Sequence, residues 1–156
     1  MNKFLFSLFI AALLLPASIQ SQSQGILTPH GYRFINHTQK GGRKPQIGES
    51  VAALVDVWAG KSLLSSSRKS GSGIYQYDLP DTATMNHVPP VIEAALMMGV
   101  GDSATIFQKI DPYMMQFIPE ESRNEKEIHF QIVLLEIQDM AEKQRAAQAA
   151  RERTRL

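Results

Sequence analysis

The stretch between Pro89 and Gly99 limits the possible folds more than any other part of the chain. Val91, Ile92, Ala95, Leu96 and Met98 are apolar, and Glu93 is the only charge among them. Pro89-Pro90 stands where a helix begins and a missing N–H costs nothing, and Gly99 stands where a C′ residue closes one. A short helix that is apolar almost all round has no solvent face, so it belongs inside the molecule.

The flanking segments alternate instead. Gly31 to His37 is strand-like, and Val51 to Trp58 places Val51, Ala53, Val55 and Val57 on one face, with Asp56 and Trp58 on the other. Gly60-Lys61 makes a tight connection into a short strand, Ser62 to Ser65. Arg68 to Gly73 is a loop, and Ile74 to Leu79 sets Tyr75 and Tyr77 on one face before Pro80 closes the run. After the helix come strands over Asp102 to Gln108 and Glu127 to Ile137. The unbroken apolar run Ile132 to Leu135 predicts a strand covered on both faces. Gly41-Gly42 and Pro45 mark a turn, and no helix follows that would make the glycines a phosphate cradle. The sum is an α+β architecture: an antiparallel sheet of some five strands wrapped around one short buried helix that falls between the fourth and fifth.

The ends of the chain read differently. Met-Asn-Lys is a short basic start, Phe4 to Leu15 is apolar, and Pro16 breaks the run ahead of small and polar residues. A membrane-spanning helix needs about 20 apolar residues, so this run suits a secretory signal better than an anchor. Cleavage is expected after Ser21 or Ser23, with an uncleaved anchor as the alternative. The expected division is a signal peptide over 1–23, a polar leader over 24–30, a folded domain over 31–139 and a helical basic tail over 140–156. Export to a periplasm is the expected destination, with simple secretion the other, and no stable membrane insertion is expected after cleavage.

The chain has no cysteine, so an exported domain would rely on its core alone and could carry no lipid-modified cysteine at its N-terminus. Sixteen Lys and Arg against fifteen Asp and Glu leave no general basic surface for nucleic acid. Charge is nevertheless uneven, since residues 141–156 hold five Lys or Arg and two Glu. This tail, rich in Ala, Gln, Arg and Glu, favours helix and buries little. It reads as a solvated terminal helix, or alternatively as one that meets a partner or an anionic surface.

Order and spacing resemble a known family over Gly31 to Asp139. Gly-Tyr-Arg-Phe at 31–34 and Pro45-Gln-Ile-Gly-Glu-Ser-Val at 45–51 are similar to the first strand of the FKBP-type peptidyl-prolyl isomerases and the lead-in to their second. Gly60-Lys61 with Ser66-Ser67-Arg68 is similar to the family's Gly-Lys and Ser-Ser-Arg segment. Val88 to Ile106 resembles its helix and following strand, and Ile128 to Ile137 its closing strand.

The resemblance implies an FKBP-like sheet around the buried helix, here with a C-terminal helix added. It implies peptidyl-prolyl cis–trans isomerisation of proline-containing segments in unfolded or nascent exported proteins, with no cofactor, metal or catalytic nucleophile. The implied pocket is apolar. Phe130 stands at the aromatic position of the last strand, Tyr75 at an aromatic position after the flexible loop, and Val88 at the aliphatic position before the helix. Elsewhere the chain departs from the pattern. Val91 replaces the tryptophan of the pocket floor, Val55 a tyrosine, and Leu64-Ser65 a phenylalanine–aspartate pair. Tyr113 and Ile118 are the candidates for the space of an absent Ala-Tyr-Gly run. A wider, less aromatic pocket without its carboxylate implies slow or selective isomerisation, or a peptide-binding chaperone module.

Other chemistry finds little support. His30, His37, His87 and His129 lack metal-ligand spacing. Ser65-Ser66-Ser67 lacks the nucleophile elbow of a hydrolase, and Asp56, Asp78 and Asp111 are isolated carboxylates. Met97-Met98 and Met114-Met115 read as core and loop fillers, the second pair alternatively as lining of an adaptable peptide groove.

Overall fold

The computed structural model describes residues 25–154; the expected signal peptide, residues 1–23, lies outside them, as do residue 24 and the last two. Nine regular elements follow one another. They are β1 (Ile26–Leu27), β2 (Arg33–Thr38), β3 (Ser50–Ala59), β4 (Ser62–Ser66), β5 (Tyr75–Asp78), α1 (Pro90–Met97), β6 (Ser103–Lys109), β7 (Glu127–Gln138) and α2 (Met140–Thr154). The strands form one seven-stranded antiparallel sheet in the order β1-β2-β6-β7-β3-β4. The central strand β3 is shared on its second side: Asp56 to Ala59 pair with β4, and Ser50 to Ala53 pair with β5.

The helix lies against β6 and β7. Its Ala94, Ala95 and neighbouring Met98 meet Phe34, Val51, Ala53, Val55, Ile106, Ile132 and Leu134 in the main core. The helix expected from sequence is therefore present and buried, between the fifth and sixth strands because the sheet also contains β1. Ile26 and Leu27, in a stretch without periodicity, pair with Phe34 and Arg33. The hairpin between them is closed by Thr28, whose Oγ1 accepts the Tyr32 N–H at 3.0 Å, and by Gly31 at φ +82°.

Two local expectations change. Gly99 does not take the left-handed conformation of a C′ glycine; Gly101 does, at φ +89°. Gly99 instead makes room, because a Cβ on it would lie 2.4 Å from the Gly42 carbonyl oxygen. Gly42 is required in turn, since its own Cβ would lie 2.1 Å from the Val100 oxygen. The segment carrying Gly41 and Gly42 thus runs against the end of α1, and Arg43 accepts the Val100 N–H at 3.0 Å.

The run Ile132 to Leu135 sits mid-sheet but is covered on one face only. Ile132 and Leu134 are buried inward, whereas Leu135 is 38% exposed. The register shifts between Ala52 and Ala53, where Ala52 opposes Glu136 and Ala53 opposes Leu134. Leu135 points outward in alternation with Leu134, and as the extra residue of a β-bulge it lets Ile137, opposite Val51, turn back to the core.

Below α1, buried Asp102 ties the connection together. Its carboxylate accepts the N–H groups of Lys40 at 2.8 Å and Gly99 at 3.0 Å, and the Asn36 amide at 3.2 Å. Burial opposes its ionisation, but these three donors and the Lys44 charge hold its carboxyl below the ordinary range.

The second helix stands apart. Every α2 residue whose burial is described is exposed. Asp139 caps it, accepting the Ala141 N–H at 2.8 Å through its side chain.

Candidate functional site

Directly paired residues of an antiparallel ladder share a face. One row on the helix side of the sheet therefore runs Phe34, Ile106, Phe130, Val57, Ser65 across β2, β6, β7, β3 and β4. Its two ends differ in cover. Phe34 and Ile106 are closed over by α1, while Ser65 is exposed at the rim. Phe130 and Val57 lie between, half-buried, and pack against both the main core and a smaller cluster of Ala59, Ile118 and Ile128. Val91, at the start of α1, packs half-buried on the same main core.

Two tyrosines tether the start of the helix. Tyr32 donates its hydroxyl to the Val88 carbonyl at 2.7 Å, and Tyr77 donates to the Val91 carbonyl at 3.0 Å. Burial pushes the Tyr77 phenol far above its ordinary value, with a smaller contribution from Tyr75, so it remains a neutral donor. Burial also raises Tyr32, assisted by the nearby Glu93 carboxylate. Glu93 is itself buried and accepts the His30 N–H at 2.9 Å, which fastens the helix to the chain ahead of β2.

The sequence-derived site residues divide by position. Val55 is buried under the helix, Val88 is 1% exposed, and Val91 packs half-buried on the main core. Phe130 joins the two clusters. Leu64 packs on the smaller cluster, where a register shift between Val57 and Trp58 makes it the extra residue of β4. Ser65 is at the open rim. Tyr75 is 47% exposed, with its ring 5.1 Å from that of Tyr77. Tyr113 is 73% exposed and meets Phe117 edge-on at 5.7 Å. From the same loop, Ile118 is buried and Met114 packs against it.

Four contributors were not among the site residues expected from sequence. Val57 is the direct partner of both Phe130 and Ser65, a role its alternation with Val55 already permits. Met114 was legible only as one of a methionine pair, and Tyr32 and Tyr77 only as strand residues, with nothing to mark their hydroxyl contacts.

The isolated acidic residues have structural partners. Asp56 lies on the outer face and accepts from Ser66 and Arg68, Asp78 accepts from the Ser50 hydroxyl, and Asp111 accepts the Met114 N–H. His37 meets the Thr105 hydroxyl at 2.7 Å. His129 lies on the outer face beside Phe107, and burial lowers its pKa against the opposing influence of Glu125. Among the described residues, no three His, Asp or Glu side chains are grouped to hold a metal ion.

Sheet order and buried helix define an FKBP-like α+β fold. Two solved structures share it. One is a peptidyl-prolyl cis–trans isomerase from Pseudomonas syringae pv. tomato, matched over 76% of this chain and 84% of its own, with a TM-score of 0.53 and 13% identity. The other is FkpA from Escherichia coli, matched over 76% of this chain and 54% of its own, with a TM-score of 0.56 and 14% identity. At these identities the fold is what is shared. No family model and no curated protein matches the sequence.

Proposed function

We propose that this protein is an exported peptidyl-prolyl cis–trans isomerase that binds proline-containing segments of unfolded or newly translocated proteins in an apolar cup formed by Phe130, Val57 and the start of α1. The observation that carries the reading is the position of Phe130 and Val57, half-buried and shared between two apolar clusters, the larger of which also packs Val91. Rotation about an X–Pro bond faces a barrier of about 18–20 kcal/mol because the planar amide must give up resonance. A dry apolar cup disfavours the polar planar amide relative to its twisted form, and so lowers that barrier by shape and desolvation. This chemistry requires no nucleophile or cofactor and consumes no ATP, which suits a compartment outside the cytoplasm. Periplasmic export rests on the N-terminal apolar run.

A second reading is peptide binding with little turnover. It is favoured by Val91 where the family's floor is an aromatic ring, and by exposed Ser65 where the family has a carboxylate. One assay separates the two. X–Pro exchange in a short peptide is measured with and without the protein, beside Phe130→Ala. Catalysis through the cup predicts acceleration that falls at least tenfold in the variant. Acceleration that survives the substitution refutes the cup, and suppressed client aggregation without acceleration selects the second reading.

A further inference from the structure

One small turn grips the start of α1. Residues 28–32, between β1 and β2, are locked on themselves. The Thr28 N–H donates to the Tyr32 carbonyl at 2.8 Å, the Tyr32 N–H to Thr28 Oγ1 at 3.0 Å, and the Gly31 N–H to the Thr28 carbonyl at 2.9 Å. From this turn the Tyr32 hydroxyl holds the Val88 carbonyl, just ahead of the helix. His30 reaches the first helical turn, where its N–H and its Nδ1 each lie 2.9 Å from Glu93 Oε1. Val91 falls between the two grips.

The second grip is made where a carboxylate is costly. Glu93 is 4% exposed, and its Oε2 is buried with no partner among the described residues. Among those residues no Lys or Arg pairs with it; its contact is His30. The core residues of β6 and β7 beneath α1, Ala104, Ile106, Ile132 and Leu134, are apolar. Burying a carboxylate with one oxygen unmet costs stability, and a well-packed apolar side chain in such a place is often neutral or stabilising. Stability alone therefore does not account for Glu93. Its contact does, because it fixes where the helix begins relative to β2.

We propose that Glu93, acting through His30, is a positioning residue for the cup: the turn over 28–32 clasps the chain at Val88 and Glu93 and holds Val91 in place for a proline-containing segment. The proposal rests on the reading of Phe130, Val57 and the start of α1 as a peptide cup, and it adds that the cup's helical wall is set by the turn ahead of β2.

The test is binding of a fluorescently labelled Ala-Leu-Pro-Phe peptide to wild type, Glu93→Met and Glu93→Gln, beside thermal melts. Methionine is unbranched and fills the space of the carboxylate, while glutamine keeps an oxygen for His30. Glu93→Met should melt within about 3 °C of wild type or above it. Its dissociation constant should nevertheless rise about fivefold or more, the loss expected when a binding wall is no longer pre-organised. Glu93→Gln should bind nearly as wild type does. Unchanged affinity in Glu93→Met, equally weak affinity in Glu93→Gln, or a loss that only accompanies a lower melting temperature overturns the positioning role. A wild type that does not bind the peptide refutes the cup instead, and amide exchange then scores the clasp by itself. Ile92, whose N–H donates to the Pro89 carbonyl at 3.1 Å, should exchange faster in Glu93→Met, with Met98 at the far end of the helix unchanged. Equal exchange at Ile92 overturns the clasp.

Discussion

Replacing Asp102 by Asn should destabilise the protein strongly at neutral pH and weakly in acid. The carboxylate accepts three hydrogen bonds, one on Oδ1 from Lys40 and two on Oδ2 from Gly99 and Asn36. An amide retains a single oxygen, and its NH2 then faces a donor. If that oxygen takes the Oδ2 place, one bond is lost; in the other orientation, two are. With bonds to a charged acceptor contributing about 1.5–3 kcal/mol each, the expected loss is on the order of 2–4 kcal/mol. A domain stable by about 5–15 kcal/mol survives this, so urea melts can read the difference. The sign with pH follows from the lowered carboxyl pKa. The folded state binds the Asp102 proton less readily than the unfolded chain, whose value is near the ordinary 3.8. Its contribution is therefore complete above that value and fades as pH falls through the folded one. The gap between wild type and Asp102→Asn should be full at about pH 7 and should narrow as acid titration below 3.8 reaches the folded carboxylate. A gap below about 0.5 kcal/mol at neutral pH, within the scatter of ordinary surface substitutions, would refute the reasoning. So would a gap of the same size at neutral pH and in acid.

Other perturbations test other contacts. Tyr77→Phe removes the hydroxyl that holds the Val91 carbonyl and should cost about 1 kcal/mol in a urea melt, with a larger effect on peptide binding than on fold. Gly42→Ala drives a methyl into the Val100 carbonyl, with a cost of about 1–3 kcal/mol or more from overpacking. Gly41→Ala meets open space and should cost only the roughly 1–2 kcal/mol of its positive φ, so thermal melts should rank Gly42→Ala as the worse. Ending the chain at Asp139 removes an exposed helix and should leave unfolding free energy within about 0.5 kcal/mol; a larger loss would show that α2 supports the domain.

The regular part of this fold was legible because binary pattern and chain punctuation agree. The buried helix had Pro90 at its start and an apolar surface all round, and β3 had four alternating aliphatic residues. Features set by contact between distant segments were not legible. Gly99 looks like a helix terminator, yet its role depends on Gly42, which is brought against it by tertiary packing. Leu135 reads as core within an unbroken apolar run, yet it alternates with inward Leu134, and it is Ile137 that the bulge beside Ala53 returns to the core. Ile26 and Leu27 are too short a run to show a period, and they become a strand only because β2 offers an edge.

The candidate site shows the same division. Phe130, Val88 and Val91 could be placed on the last strand and at the helix start from their position in the pattern. Val57 required cross-strand registry, and the packing of Met114 on Ile118 required the path of a loop. The tyrosine hydroxyl contacts depend on side-chain reach across the sheet, over 56 residues of chain between Tyr32 and Val88 and 14 between Tyr77 and Val91.

The double partnership of β3 has a consequence for how such a chain can change over time. β4 and β5 occupy successive stretches of one strand edge, and opposite Val55 neither provides its bond; the Ser67 hydroxyl takes the Val55 N–H at 3.0 Å instead. Residues 67–74 therefore join two strands whose registers are each fixed by β3 alone. Additional residues spliced into the exposed tip at Gly71-Ser72 would leave both pairings in place. The sheet thus carries a socket next to exposed Ser65, where descendants of this sequence can gain a recognition element without rebuilding the strand pairing beneath it.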